Sequence, residues 1–358
     1  MVVVHCITRF NQGGTVTWLN NLLVNQERAY LVAGECSGDE REGIPHSNFD
    51  LIKISSMKRS INPVSDFVAL IALVRIFRRI RPELLVTHTF KAGVLARVAA
   101  KISFLKRSTK VVHTYHGHLQ YGYFSRFGSR VISWIEKCLE FITDGFIVNG
   151  LKVSRDLIRA GLLRKPYMVI LPGVELLPAI NSSSAQEVDH RVTVGWLGRL
   201  TNVKRPDRVI SQAHRFPSVN FLVGGEGELE SELRSVAPSN LEFLGWTPPG
   251  SFWSKADVGL LTSENEAAPF SLVEAASYGV PCVATDVGSV SDVILDGETG
   301  FLVVPTDDSI SEKLGKLIED EDLRRQMSIN ARNRAAQEFT LENFRNKHRD
   351  FFLRVMKS

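Results

Sequence analysis

Residues 260–290 read LLTSENEAAPFSLVEAASYGVPCVATDVGSV, and three kinds of segment follow one another in that run. An apolar strand, Val258–Leu261, ends at its start. A polar loop carrying Glu266 leads to Pro269, which suits a helix start, and a helix begins near Ser271. A second strand, Cys282–Thr285, closes the stretch. Strand, loop, helix and strand in this order form the repeating unit of a parallel sheet, with the helix as a right-handed crossover.

The same alternation extends outward on both sides. In the second half, strands are expected at Val192–Leu197, Phe221–Val223, Leu241–Leu244 and Phe301–Val304, with helices from near Arg205, Glu228 and Ser309. In the first half, strands are expected at Val2–Thr8, Ala29–Ala33, Phe49–Ile54, Leu84–Thr89, Lys110–Tyr115, Gly145–Asn149 and Tyr167–Leu171. Between them, Thr15–Val24, Val64–Ile80, Ala92–Ile102, Arg126–Phe141 and Lys152–Ala160 read as helices. A polar stretch, Asn181–His190, separates the halves, which puts the linker at about Gly173 to His190. A chain of 358 residues, 44% apolar, also exceeds the roughly 250 residues that one core serves. The expectation is therefore α/β: two doubly wound domains, 1–175 and 190–340. Leu323–Glu338 and Leu341–Met356 are helical by period, and the last helix, 341–358, is expected to pack back on the first domain.

Composition narrows the classes of function. The four cysteines, Cys6, Cys36, Cys138 and Cys282, are scattered and form no CxxC pair, which suits a reducing cytosol and not a thiolate metal site. The first residues, MVVVHCITRF, read as a buried strand and not as a cleaved secretion signal. The longest apolar run, Phe67 to Val74, is far below the roughly 18 residues a membrane-spanning helix needs. Residues 1–170 hold 24 Lys and Arg against 12 Asp and Glu, whereas the remainder holds 19 against 27, so the first half favours an anionic partner. Nucleic acid is not expected, because the basic residues lack aromatic interleaving and no reading helix is evident. A phosphate-bearing lipid acceptor or an anionic membrane surface fits better. Arg75, Arg78, Arg79 and Arg81, with Lys101, Lys106, Arg107 and Lys110, read either as such a surface or as the solvated end of a core helix.

Ligands of open parallel sheets bind beyond the carboxyl ends of the strands, so the loops there carry the candidate chemistry. In NQGGTVTWL, residues 11–19, Gly13 and Gly14 allow backbone amides to approach a phosphate ahead of a helix, or simply make a tight turn. The GxGxxG spacing of a nicotinamide enzyme is absent. In VGWLGRLTNVKRPD, residues 194–207, a strand delivers Arg199 and Lys204 to one rim, a clamp for a diphosphate or else a solvated loop. VGGEGELESEL, residues 223–233, has two glutamates that repel phosphate and reads as a floor. Glu266 and Glu274 flank the helix start after residue 261; a carboxylate accepts two sugar hydroxyls, and the amides of Ala267 to Ser271 can meet an anion or hydroxyls. On spacing alone, a capping carboxylate and a solvated helix face account for the pair as well.

The context around that pair resembles the glycosyltransferase family 4 signature: the E-x7-E motif stands as EAAPFSLVE, residues 266–274, followed by AASYGVPCVATDVGSVSDVILDGETGFLV. VGWLGRLTNVKRPDRVI, FLGWTPPGSFWSKADVGLLTS, THTFKAGVLARVAAK, VVHTYHGHLQYGYFS and LRKPYMVILPGVE also match, each in the expected half, so the resemblance spans nearly the whole chain. It implies a GT-B fold of two facing Rossmann-like domains with an interdomain cleft. The second domain would hold a nucleotide-sugar donor and the first a saccharide or lipid-linked acceptor, with no metal requirement and no cofactor. The nearest likeness is to retaining enzymes of bacterial polysaccharide and lipopolysaccharide assembly.

By position, Glu274 resembles the ribose-binding carboxylate. Glu266 with Ala267, Ala268, Pro269, Phe270 and Ser271 resembles the hexose-hydroxyl site, and Arg199 with Lys204 the diphosphate clamp. Trp246 and Thr247 resemble the base-binding stretch, His116 the histidine near the transferred sugar, and Gly14 the phosphate-facing glycine. A buried post-strand imidazole is the alternative for His116. His88 and Lys91 end a first-domain strand and are expected on the acceptor side, or in an ordinary turn before a helix.

Three departures stand out: Ala267 replaces a glycine, LPGVE replaces an asparagine-glycine turn, and NGLKVS lacks a serine-glutamate. Asp320-Glu321-Asp322 has DxD spacing but falls between helices and reads as a cap. The implied reaction moves a hexose or N-acetylhexosamine from a UDP-sugar, in the cytoplasm or at the inner face of the plasma membrane. A non-hydrolysing sugar-nucleotide 2-epimerase and a silent nucleotide-sugar-binding module remain alternatives; a phosphorylase lacks its pyridoxal phosphate lysine.

Overall fold

Five-residue runs without polar alternation, VVHCI at Val3–Ile7 and LLVTH at Leu84–His88, are buried along their whole length, as strands covered by helices on both faces must be. In the computed structural model they are the centre of a seven-stranded sheet. Its strands are β1 (Val3–Ile7), β2 (Ala29–Gly34), β3 (Asp50–Ile54), β4 (Leu84–His88), β5 (Lys110–Tyr115), β6 (Gly145–Val148) and β7 (Tyr167–Val169). All pairs are parallel, in the order β3-β2-β1-β4-β5-β6-β7. The edge strands β3 and β7 keep exposed residues. The structure describes all residues except 25–27, 37–39, 46–48, 104–108, 118–125 and 177–190, and for 126 and 127 the backbone only.

The second sheet comprises β8 (Thr193–Leu197), β9 (Asn220–Gly224), β10 (Leu241–Gly245), β11 (Val258–Leu261), β12 (Cys282–Thr285) and β13 (Gly300–Val303). It is parallel throughout, in the order β10-β9-β8-β11-β12-β13. In each sheet the winding reverses once, between β1 and β4 and between β8 and β11. At such a point the two outgoing loops diverge and leave a crevice at the strand ends.

The chain divides into one unit of Met1–Leu171 with Phe344–Ser358, and a second of Pro172–Asn343. The first unit thus ends at Leu171 in this division, beside the expected boundary at 175. Val174 N–H donates to Phe339 O at 2.8 Å and Leu341 N–H donates to Val174 O at 3.1 Å, which fastens Pro172 onward to the second unit. The rest of the expected linker, 177–190, lies outside the described residues.

One local difference from the sequence reading has a simple cause. The helix expected near Arg205 begins at Asp207, after a 3-10 turn, Asn202–Lys204; Pro206 disfavours helical geometry at Arg205, which sits at φ 49°. Asp320 is the cap of the helix Glu321–Glu338, accepting from Leu323 N–H at 2.9 Å. The terminal helix, Leu341–Lys357, lays Phe344 and His348 edge-on to Trp18 and buries Phe351, Phe352 and Val355. Arg345 Nε donates to Asn21 O at 2.8 Å. Each buried side chain of this kind contributes about 1.5–3 kcal/mol. Among the described residues, no helix is long and apolar enough to cross a membrane.

Beneath the first sheet an ion pair is sealed from water. Arg97, on the helix Phe90–Ile102, donates through Nη2 to both oxygens of Glu136 at 2.7 and 2.8 Å, and Tyr115 Oη donates to the same carboxylate at 3.1 Å. Arg97 and Glu136 are 0% and 1% exposed. Removing one partner strands the other, so Glu136→Ala lowers the unfolding free energy by about 3–5 kcal/mol, whereas Arg97→Met with Glu136→Leu costs far less. Urea unfolding followed by circular dichroism checks both, and equal losses in the two variants would refute the pairing.

Candidate active site

The second unit builds its rim from glycine-rich strand ends. Past β8, Gly198 N–H donates to Gly224 O at 3.0 Å and Leu200 N–H to Glu226 O at 2.9 Å, while Gly225 N–H donates to Gly245 O at 2.7 Å. The loops after β8, β9 and β10 are therefore laced together. At Gly225 the backbone has φ 119°, and a β-carbon would lie 1.9 Å from Gly198 O, so no other residue fits.

The loop after β8 is also tied to the loop after β11, across the point where the winding reverses. Trp196 Nε1 donates to Thr262 Oγ1 at 3.0 Å, and that hydroxyl stands 2.9 and 2.8 Å from the carbonyls of Lys204 and Arg205. Glu264 N–H donates to Val203 O at 2.9 Å. Buried Arg208 donates to Thr262 O at 2.9 Å and to Glu264 at 2.7 Å, and Arg205 donates to Glu264 at 2.8 Å. With both loop bases fixed, Lys204 Nζ meets Glu266 Oε1 at 2.5 Å, and Ser263 Oγ donates to the same oxygen at 2.7 Å. The loop after β12 completes the enclosure: a β-carbon at Gly288, φ 54°, would lie 1.7 Å from Glu266 O.

The second carboxylate has no such company. Glu274 projects from the helix Phe270–Ser277, partly buried, and no described group donates to its carboxylate. Burial raises its carboxyl to about 7, because a charge there lacks water and any compensating donor. Pro269 occupies the cap position of this helix and supplies no side-chain cap. Ala267 and Ala268 are buried beside it, with Phe270 and Ser271 half-buried.

Of the other residues named from sequence, Arg199 is exposed on the β8 loop and makes no ion pair with a described residue. Trp246, 45% exposed, and Thr247 follow β10. The structure therefore brings Lys204 and Glu266 into contact and holds Arg199 on the same loop as Lys204. Thr262, Ser263, Arg205, Arg208 and Glu264, which hold these positions, escaped the sequence reading. A cluster of hydroxyl and acidic residues, TSE, directly after a strand was the signal for Thr262, Ser263 and Glu264.

In the first unit Gly13 is the cap and Gly14 the first residue of the helix Gly14–Leu23, both exposed. His116, just past β5, is half-buried, and its Nε2 lies 2.9 Å from His88 Nδ1. His88 Nε2 in turn lies 3.0 Å from His5 Nδ1. His88, expected on the acceptor side or in an ordinary turn before a helix, is 0% exposed: β4 is a central strand, and His116 lies against the ring at its end. Lys91 is likewise engaged, pairing with Asp66 and donating to Ser60 O. Burial lowers His5 and His116 to about 3 and His348 to about 4, so these rings are neutral at ordinary pH.

Comparison with known proteins agrees with the fold. Residues 13–176 match the model described as Glycosyltransferase Family 4, and residues 181–334 match Glycosyl transferases group 1. The O-antigen biosynthesis glycosyltransferase WbnH of Escherichia coli is 27% identical over 354 residues, covering 97% of this chain and 98% of that protein. The UDP-Gal:alpha-D-GlcNAc-diphosphoundecaprenol alpha-1,3-galactosyltransferase of Escherichia coli is 25% identical over 323 residues, covering 84% and 82%. Among solved structures, Anabaena Alr3699/HepE in complex with UDP-glucose superposes with a TM-score of 0.83 at 20% identity, covering 98% of this chain and 99% of that one. Matched in both halves by glycosyltransferase models, and built on two parallel Rossmann-like sheets, the chain belongs to the GT-B glycosyltransferases of the family 4 and group 1 type.

Proposed function

We propose that the protein is a retaining hexosyltransferase, which moves a hexose or N-acetylhexosamine from a UDP-sugar to a saccharide or lipid-linked acceptor in cell-surface polysaccharide assembly. The observation that carries the reading is the Lys204–Glu266 contact where the second sheet reverses, with Glu274, whose carboxylate has no described donor, on the helix that follows the Glu266 loop. Those three groups match the needs of a sugar diphosphate: a cation for phosphate, and carboxylates for hydroxyls. The names of the O-antigen and galactosyltransferase relatives support the pathway class and the uridine donor.

In this reading Glu274 accepts the ribose hydroxyls and Trp246 lies against the base. Lys204 turns from Glu266 to the diphosphate, joined by Arg199 and by the amides at the start of the helix Phe270–Ser277. Glu266, released from Lys204, accepts sugar hydroxyls with Ser263 beside it. Gly14 faces phosphate, and His116 meets a sugar oxygen. The bond from the anomeric carbon to the leaving diphosphate breaks, and the acceptor oxygen bonds to that carbon on the same face. Its proton passes to the departing diphosphate, and a nucleoside diphosphate leaves. Protein cations carry the developing negative charge, so no metal is called for and no protein nucleophile takes part.

We also infer peripheral attachment to an anionic membrane from the cytoplasmic side. The helix Pro63–Ile80 buries only Ala69, Leu73 and Phe77, leaving Val64, Phe67 and Val68 exposed with Arg75, Arg78, Arg79 and Arg81. It packs on the helix Phe90–Ile102, which packs on Arg126–Leu139, where Trp134 is 68% exposed. Apolar and aromatic groups among exposed arginines suit a headgroup boundary. Lys106 and Arg107 lie outside the described residues.

Three outcomes test these readings. With donor saturating, Lys204→Ala and Arg199→Ala each lose about 10²–10³ in turnover, and proton NMR of the product shows the donor's anomeric configuration; near wild-type rates, or an epimerised donor formed without acceptor, would sink the assignment. A UDP-sugar binds less tightly as pH falls below 7, by up to about tenfold per unit, because ribose hydroxyls donate to the ionised Glu274. Since the folded value stands above the unfolded one, the ionised carboxylate works against the fold at high pH. Glu274→Gln therefore raises the melting temperature of the free protein at pH 8 but not at pH 4.5, and flattens the binding profile. The wild type co-sediments with phosphatidylglycerol vesicles at low salt, and Arg78→Glu with Arg79→Glu does not; indifference to both changes would exclude the membrane reading.

A further inference from the structure

We propose that His5 and His88 are positioning residues that hold His116 in its Nδ1–H form, so that it meets the sugars as a hydrogen-bond donor and not as a base. The inference rests on the reading of His116 as the sugar-facing histidine of the first unit. It goes further by assigning the ring's proton and naming the residues that fix it.

Three neutral rings joined nitrogen to nitrogen leave little freedom. A neutral imidazole has one N–H and one lone pair, and each of the two contacts, His5 Nδ1 to His88 Nε2 and His88 Nδ1 to His116 Nε2, takes one of each. All three protons must therefore point the same way along the chain. Either His116 donates inward and the last proton ends on His5 Nε2, or His5 donates outward and the last proton ends on His116 Nδ1.

The inner end decides between them. His5 Nε2 is buried with no partner among the described residues, and a buried N–H with nothing to donate to is the rarer and costlier orphan. The lone pair is therefore at His5 Nε2, and the protons lie on Nδ1 of His5, His88 and His116. A bare buried nitrogen has precedent beside this chain. His348 Nδ1 lies 2.8 Å from Phe344 O, an acceptor only, so its proton is on Nδ1, and its Nε2 is buried and bare.

The outer end is the ring with access to solvent, since His116 is half-buried while His5 and His88 are 0% exposed. Trp18, edge-on at 5.2 Å, holds the ring's orientation. His113 does not join the chain, because its Nδ1 is held by Thr87 Oγ1 at 2.8 Å.

Histidine-selective 15N labelling of the full chain reads the tautomer directly, and His116→Asn identifies the His116 signals. The expected pattern is a protonated Nδ1 and a bare Nε2 from pH 8 to pH 6; the reverse pattern overturns the proposal whatever the activity. His88→Phe is expected to give His116 a mixed tautomer and to lower kcat roughly tenfold with the donor KM within about twofold; a single unchanged tautomer overturns the role of His88. Asparagine places an amide N–H near the position of Nδ1, and aspartate a carboxylate. His116→Asn is therefore expected to retain at least about tenfold more turnover than His116→Asp, and the opposite ranking makes His116 a base and ends the proposal. Wild-type turnover in His116→Ala would remove His116 from the site while leaving the tautomer assignment intact.

Discussion

Lys204 and Glu266 are 62 residues apart in sequence, and they meet because two loops leave adjacent strands and are tied at their bases. The tie is Thr262. Its single hydroxyl receives the Trp196 indole and faces the carbonyls of Lys204 and Arg205, so the end of β8 cannot drift from the end of β11. Arg208 strengthens the same seam from below by holding Thr262 O and Glu264. Without that seam the lysine would be one more solvated cation on a loop. With it, the lysine is held against a carboxylate that is nearly out of water, where charge interactions are far stronger than on the surface.

Strands were the most legible part of the chain because a parallel sheet buries both faces and leaves uninterrupted apolar runs. Helix starts were legible where a cap or proline marked them and failed where a proline followed a turn, as at Arg205-Pro206. The carboxylates Glu266 and Glu274 stood out by spacing and context, but their different states did not. One is paired with lysine and serine, the other stands alone, and only the arrangement of strand ends distinguishes them. The burial of His88 was hidden for a related reason. Its position at a strand end was legible, but not that β4 lies at the centre of its sheet with His116 against the ring.

The first unit concentrates features that no local pattern reveals. His5, His88, His116 and His348 come from two strands, a loop and the terminal helix, yet they surround one indole, Trp18, or each other. Burial holds these rings neutral, and neutrality lets imidazoles link nitrogen to nitrogen without repulsion. The arrangement costs stability in acid. An unfolded chain takes up protons below about pH 6.5, where the folded rings do not.

Both units thus keep groups that a fold selected for stability alone would discard. Glu274 holds a carboxylate partly buried without a donor, and His5 holds a buried nitrogen without a partner. Rules of polar satisfaction are broken in natural proteins chiefly where a ligand completes them or a mechanism uses them. Glu274 fits the first case, since two adjacent hydroxyls of a sugar would supply the donors it lacks. His5 fits the second, because its unsatisfied nitrogen is what gives the three-ring chain a direction. A water or a serine donating to that nitrogen would lower the local energy and reinforce the same direction; a carbonyl placed there would reverse it. The direction of the proton at His116 is therefore set two rings away, at His5.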